Sequence, residues 1–526
     1  TQALSIDGNT VNGAGGSGIV ATFGSNGTGA GEDDSISICN NNLRLVTTGS
    51  DSGIAGILLH ASEGTDETLK NVQIHGNQVE VGDDQLGIQV DADGWDANYS
   101  ISCCDNTVSK NYGKVPNMGI VGSFANNAED VRFDGNTCVA WKMFGVHVFA
   151  PLTMRNFSLS RNIVRTGNTI KASFYSGVRL YGDALTEGRN TTLDGNIVDY
   201  IGGGVVGANR GVVFTTDNIG SGAECQNTSI SGNQIMEASY GIWFGGEAAS
   251  DLMSHYNTNI CDNQVFVSSA GPQYTPTNGI KVLSGSGSTE IQGMTLSRNQ
   301  VSVSSNSHDY KGIDILIGGS TNVNSLWDVS DNQINYLNPL VDTPQNTTGI
   351  YWENFSLGGF NQQMRCARNT VVGAGKWGIA VGFFGDSREI QVLDNIIHSS
   401  QNVSTSGGSM ANGDLVIEWQ FGATLKALSV CGNHARNGNK EGGRNGFVFS
   451  DAGVQGSVGK WIISNNTSLN YAASKAVITL FTNSPLQYSN ITDNINMDMT
   501  TDADNWDNGA TWSDATNVHV SNNDVV

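Results

Sequence analysis

One phrase returns along the whole chain and decides what it can fold into. It reads apolar, any residue, apolar, two residues, asparagine, any residue, apolar: LSIDGNTV from residue 4, VQIHGNQV from 72, TTLDGNIV from 191 and VHVSNNDV from 518. Aligned on this phrase, the asparagines are Asn9, Asn41, Asn77, Asn106, Asn136, Asn162, Asn196, Asn233, Asn263, Asn299, Asn332, Asn369, Asn395, Asn433, Asn466, Asn494 and Asn523. They stand 26 to 38 residues apart, the range of a solenoid repeat.

Apolar-x-apolar is the period of a strand with one buried face. A lone asparagine between two such pieces is expected to supply the left-handed backbone of a sharp bend. Each phrase is therefore strand, bend, strand. Midway between successive asparagines comes a second phrase, GIVATF at 18–23, LGIQVD at 86–91, FGVHVF at 144–149, YGIWFG at 240–245, KGIDIL at 311–316 and TGIYWE at 348–353, which adds a third strand. Three short strands per turn bury nothing alone, but stacked turns enclose a continuous core and pair every strand above and below.

The two phrases, recurring in order over essentially the whole chain, resemble the right-handed parallel β-helix of the pectin-lyase-like superfamily. That resemblance implies an all-β solenoid of about 17 coils, with strands PB1, PB2 and PB3 in each coil and an internal asparagine ladder between PB2 and PB3. The stretch between Asn494 and Asn523 carries DADNWDNGATWSD in place of a Gly-Ile phrase, so residues 495–526 are expected to form an irregular last coil. With no Pro-rich, Ser-rich or charged linker, residues 1–526 read as a single β-helix domain, and a chain that opens on Thr1 inside the repeat reads as a fragment of a longer one.

Composition narrows the partners. The formal net charge is -23 with no Lys/Arg cluster, which excludes nucleic acid as a partner. No apolar run approaches the length of about 20 residues needed to span a membrane. Cys39, Cys104, Cys261 and Cys431 each stand two residues before a repeat asparagine in repeats that are not neighbours, too far apart to bridge. All eight cysteines read as free thiols filling small slots, compatible with assembly in a reducing cytoplasm. The sequons at Asn156, Asn190 and Asn466 are what chance gives in a chain this rich in Asn and Thr.

Enzymes of this superfamily, and the tailspikes of bacteriophages, bind long sugar chains on the outer face of PB1. The resemblance implies that surface and no particular residues, because the NTD, DD, HG and RIK series of polygalacturonases and the DPHD of alginate epimerases are missing. Parity picks the outward side chains: with the Ile of each Gly-Ile phrase inward, the next residue and the one two further face out. The stripe so defined carries His147, Arg179, Tyr181, Trp243, Lys281, Tyr351, Glu418 and Gln420 as candidate sugar contacts, with Trp243 and Tyr351 offering flat faces to sugar rings. Outward positions are also where any solvated side chain goes.

Glycosidic hydrolysis needs two carboxyl groups, about 5 Å apart for retention or about 6.5–9.5 Å for inversion. Asp314 and Glu353 lie on consecutive coils two residues out of step, which predicts about 8 Å and inversion. Asp217 and Glu247, at equivalent places on consecutive coils, are the second candidate pair and would suit retention. No cofactor is expected; the Asp-rich pieces DADGWD at 91–96 and DADNWD at 502–507 match no complete calcium loop and read better as solvated turns. Three function classes follow: the body of a trimeric phage tailspike that cleaves a bacterial capsule or O-antigen, a secreted polysaccharide lyase or hydrolase acting as a monomer, and a binding or structural rod without chemistry. Light scattering separates the first two, since the resemblance implies a homotrimer in the virion for one and not for the other.

Overall fold

The computed structural model describes residues 3–23, 32–45, 54–61, 68–82, 85–92, 96–110, 118–141, 143–166, 174–182, 185–200, 208–216, 223–246, 253–269, 277–284, 290–305, 310–318, 323–337, 347–354, 360–383, 386–399, 413–420, 423–437, 445–452, 457–469, 478–481, 489–496, 506–508, 519–521 and 524–525. Every regular element among them is a strand, and the strands wind a right-handed parallel β-solenoid with stacked asparagine side chains. Contacts divide the chain into two compact units, Thr1–Met253 and Ser254–Val526. The coil count expected from the asparagines, seventeen, is corrected to about nine turns; a solenoid coil touches only its neighbours, so a repeat count is not the size of one compact body.

A coil of the first unit shows how the sequence builds the turn. The PB2 strand Thr68–His75, the PB3 strand Gln78–Val81 and the PB1 strand Leu86–Ala92 follow one another. Each pairs in parallel with its counterpart in the next coil, placing Val72 beside Ile101, Val79 beside Val108 and Ile88 beside Ile120. All six are essentially buried, so like stacks on like and every coil adds apolar surface to one core. The second unit repeats this with Leu296 beside Val329, Val301 beside Ile334 and Ile313 beside Ile350.

The phrase asparagines form the ladder. Asn299 shows the full pattern: its Oδ1 accepts from the backbone N–H of Asn263 at 3.2 Å and from the Asn263 side-chain amide at 2.9 Å. Its own N–H and Nδ2 donate to Oδ1 of Asn332 at 3.0 and 2.9 Å, and Nδ2 also donates to the Ile260 carbonyl at 2.9 Å. The left-handed residue, however, is the one before the asparagine, as at Asp105 (φ 54°), Asp262 (φ 59°), Arg298 (φ 55°) and Asp331 (φ 59°). This corrects the expectation that the asparagine itself takes that conformation. The preceding residue turns the corner, which leaves the asparagine N–H free to point along the stack.

A second left-handed column, six residues before the ladder asparagine, includes Ser100, Asp130, Asn156, Asn190, Asn227, Asn257 and Leu326. It interrupts PB2 pairing, so that Tyr99 opposes Glu129 and Ile101 opposes Val131 with the residue between skipped. Its side chains make an exposed ladder of their own: Asn156 donates to Asp130 at 2.9 Å, Asn190 to Asn156 at 2.9 Å and Asn227 to Asn190 at 3.0 Å. The eight cysteines are free, six of them buried.

In PB1 the recurring glycine has one cause at each level of the stack. A Cβ on Gly312 would lie 2.5 Å from Ile334 Cγ2 and 2.7 Å from the Gly349 carbonyl oxygen. Glycine is thus the residue that lets PB1 close on PB3 and on the next coil. Within residues 495–526, where the Gly-Ile phrase is missing, Trp506–Asn508 takes the PB1 place beside Ile478–Phe481.

Candidate functional site

Because the glycine of PB1 is turned toward PB3, the residue before it points outward, and the outer face carries three columns instead of two. In the second unit this brings Lys311 onto the face beside Asp314. On the strand Tyr310–Ile317, Lys311 Nζ lies 2.8 Å from Asp314 Oδ1, and Asn278 Nδ2 donates to Asp314 Oδ2 at 2.9 Å. Asp314 is 3% exposed. The next strand, Thr348–Asn354, places Tyr351 beside Asp314 and Glu353 beside Leu316. The Tyr351 hydroxyl donates to Glu353 Oε2, and Lys311 Nζ stands 3.8 Å from the centre of the Tyr351 ring.

Glu353 is 4% exposed. Burial pushes its carboxyl above the ordinary range and the charge of Asp314 adds to this, while the Tyr351 hydrogen bond and Lys311 act the other way. The Tyr351 hydroxyl is pushed well up, by burial first and then by Glu353, with Asp314 and Glu418 contributing. Glu418, fully buried on the strand Gly413–Gln420, reaches this group because Glu353 opposes Gly382 and Gly382 opposes Glu418. The residue between the two glutamates has no side chain. On the other side of Tyr351, Trp377 stacks at 5.7 Å with 18° between the rings, and Ala380 and Val416 complete an apolar patch outside the solenoid core.

One strand spacing and two residue rises separate the backbones of Asp314 and Glu353 by about 8 Å, with both side chains on the outer face. Lys281, which opposes Asp314 in register, is half-buried. Lys311 is seated on Asp314, which parity counted from the Ile alone does not reveal. The signal was in the phrase itself: Lys311 and Trp377 each stand immediately before the glycine in KGIDIL and WGIAVG. Asp217 and Glu247 lie outside the described residues, as does the Gln420 side chain.

In the first unit, the structure brings His147, Arg179 and Tyr181 together. His147 opposes Arg179, and Phe149 opposes Tyr181. Trp243 is outward by register but not open: it is 7% exposed, with the Arg210 guanidinium 3.9 Å from its ring centre, Tyr240 at 5.0 Å, and its Nε1 donating to the Gly246 carbonyl at 3.2 Å. The expected flat face is covered because Arg210 and Tyr240, each preceding a PB1 glycine, also point out.

No group of three or more His, Cys, Asp or Glu among the described residues is arranged to hold a metal. Of the Asp-rich pieces, DADNWD falls largely outside the described residues. In DADGWD, Asp91 is engaged by His60 Nδ1 at 2.8 Å and Asp96 by Asn126 at 3.2 Å. Among the described residues no helix is long and apolar enough to cross a membrane. Compared with protein-family models, curated proteins and solved structures, the chain has no match in any of the three.

Proposed function

We propose that the outer PB1 face of residues 254–526 is a polysaccharide-hydrolysing centre, and that the chain is the pectin-lyase-like β-helix body of a bacteriophage tailspike. In this reading it is a homotrimer on the phage tail that binds and cleaves a bacterial capsule or O-antigen. The observation that carries the chemistry is the asymmetry of two carboxyl groups on neighbouring strands whose backbones stand about 8 Å apart: Glu353 is buried with its proton affinity raised, whereas Asp314 is clamped by Lys311 and Asn278. Two carboxyl groups in contrasting surroundings are what an acid and a base require.

Glu353 donates its proton to the glycosidic oxygen as the bond to the anomeric carbon breaks. Asp314 takes a proton from the water that attacks the same carbon from the opposite side, and the configuration inverts. Lys311 and Asn278 hold Asp314 in place, and Tyr351 holds Glu353. The acidity of the chain and its free thiols support the tailspike reading over a secreted monomer, on the ground that tailspike chains assemble in a reducing cytoplasm.

The test is incubation of the protein, E353Q and D314N with capsular, O-antigen, plant and algal polysaccharides, following reducing ends and absorbance at 235 nm. Loss of a general acid or base is expected to lower reducing-end release by about 10²–10⁴-fold while binding persists. Unchanged rates in both variants would remove this pair. New absorbance at 235 nm would mean elimination on a uronate, the lyase reading, and binding without products would leave a carbohydrate-binding rod. A monomer by light scattering would argue for the secreted enzyme.

A further inference from the structure

Leu326 is a residue for which the solenoid gives no reason. It stands in the outer left-handed column (φ 58°) with Ser100, Asp130, Asn156 and Asn257, whose short polar side chains suit that backbone. A leucine in this conformation is strained, and burial does not offset the strain, since the residue is 60% exposed. It lines a groove of about 250 Å³ on the outer face of PB2 in the second unit. Asp328 and Arg365 line the same groove from successive coils in register, and so do Gln363 and Glu389. Arg365 reaches Asp328 Oδ2 at 3.5 Å, longer than a charge-assisted bond, which leaves the guanidinium with donors to give. Gln391 Nε2 donates to Glu389 Oε1 at 2.6 Å, so that carboxylate is held in place with a second oxygen able to accept.

We propose that this groove binds one neutral hexopyranose unit, at a site on PB2 separate from the outer face of PB1. Donors on Arg365 and Gln363 and acceptors on Asp328 and Glu389 suit a ligand whose hydroxyls each give and accept a hydrogen bond. Charge weighs against the ionic alternatives: an anion meets the carboxylates of Asp328 and Glu389, and an ammonium group meets the Arg365 guanidinium. Size limits the ligand to a single ring, because sites for drug-sized molecules begin at about 300 Å³. Leu326 supplies an apolar contact for the C–H face of that ring, which gives a leucine a role where the backbone favours asparagine.

The test titrates the full chain, ¹³C-labelled at its methionine methyl groups, with the methyl α-glycosides of D-glucose, D-galactose and D-mannose, and with D-glucuronate and D-glucosamine. Met364 also lines the groove and serves as the reporter, its signal assigned by its loss in M364L. At least one methyl glycoside is expected to shift it, with glucuronate and glucosamine at least about tenfold weaker. R365M keeps the aliphatic stem and removes the donors, and L326N removes the apolar contact. Each should lose glycoside affinity by at least about tenfold, and L326N should melt at or above the parent, because asparagine suits the left-handed backbone. E353Q should bind as the parent does, which separates this site from the hydrolytic centre. The proposal is overturned if none of the three glycosides moves the Met364 signal, if glucuronate or glucosamine binds equally well, or if affinity is unaltered in R365M or L326N. A shift lost in E353Q would place the sugar at the hydrolytic centre, and L326N melting below the parent would assign the leucine to the fold; either result also overturns it.

Discussion

The Tyr351 hydroxyl donates to the carboxylate of Glu353, two residues further along the same strand and on the same face. That bond favours the charged form of Glu353, against the burial that disfavours it. Removing the donor in Tyr351→Phe is expected to raise the Glu353 pKa further. If Glu353 is the acid, activity requires its proton, and the alkaline limb of kcat/KM should move to higher pH in this variant. A limb that stays in place, or moves down, would detach Tyr351 from the acid.

The same carboxyl makes stability depend on pH. Its folded pKa is raised above the unfolded value, so its contribution is fully present below the unfolded value of about 4.3 and is lost as pH rises through the folded pKa. Glu353→Gln removes the group that must ionise while leaving an oxygen for Tyr351 to donate to. The variant and the parent should melt alike near pH 4, with the variant increasingly more stable as pH rises. Melting curves across that range that run parallel would show that Glu353 does not titrate differently in the two states.

At the corner between PB2 and PB3, the opposite sign applies. Arg298 meets Asp262 through two bonds at 2.7 and 2.8 Å, and Arg368 meets Asp331 through two at 2.7 and 2.6 Å. The guanidinium bonds lower both aspartate pKa values. Their stabilisation is present above the unfolded value of about 3.9 and disappears as pH falls through the folded values. The double variant D262N/D331N should therefore melt below the parent at pH 6 in low salt. The gap should close on acidification and shrink with added salt, because these pairs are exposed. A gap unaffected by either would mean that the aspartates act through the turn and not through charge.

The strands were legible because period-2 patterning and the asparagine phrase both report burial, and burial is what the solenoid sets at each position. The corner was misassigned because at Asp105-Asn106 or Arg298-Asn299 two adjacent polar residues occupy it and nothing says which one turns left-handed, although Gly8, Gly76 and Gly195, each at positive φ just before the asparagine, carried the signal. The outer ladder at Asn156, Asn190 and Asn227 escaped because its column also holds Ser100, Gly293 and Leu326, so residue type does not mark it. Asp314 and Glu353 were found by alternation. Lys311 and Trp377 were not, because alternation counted back from an inward Ile fails at a glycine that is also turned inward. Exposure is a further step removed: Trp243 points outward as parity says, but what covers it is set by Arg210 on the preceding coil.

The inner ladder is expected to carry a measurable single-residue penalty. Asn299→Ala leaves the Asn263 N–H and amide, the Ile260 carbonyl and Asn332 Oδ1 short of partners in a buried stack. An unmet buried polar group costs about 1–3 kcal/mol, so denaturant unfolding should show a loss of at least that size. Full stability would mean that water replaces the amide and that the ladder is not what holds the corner.

The PB1 glycines give a test that depends on two residues at once. In Gly312→Ala the new methyl meets Ile334 Cγ2 at 2.5 Å and the Gly349 carbonyl oxygen at 2.7 Å, distances at which something must move. Overpacking of this kind costs about 1–3 kcal/mol. The chain itself varies this pairing: Asp414 occupies the position that is glycine at Gly312, Gly349 and Gly378, and the PB3 residue at that level is Ala435, where the neighbouring coil has Ile397. A larger residue on PB1 thus coincides with a smaller one on PB3. Ile334→Ala alone should destabilise by opening a cavity, yet in the Gly312→Ala background it should cost less than alone, because the methyl enters the space it vacates. Additive losses in the double variant would assign the glycine to the carbonyl contact with the next coil, and would leave the PB3 side chain out of the cause.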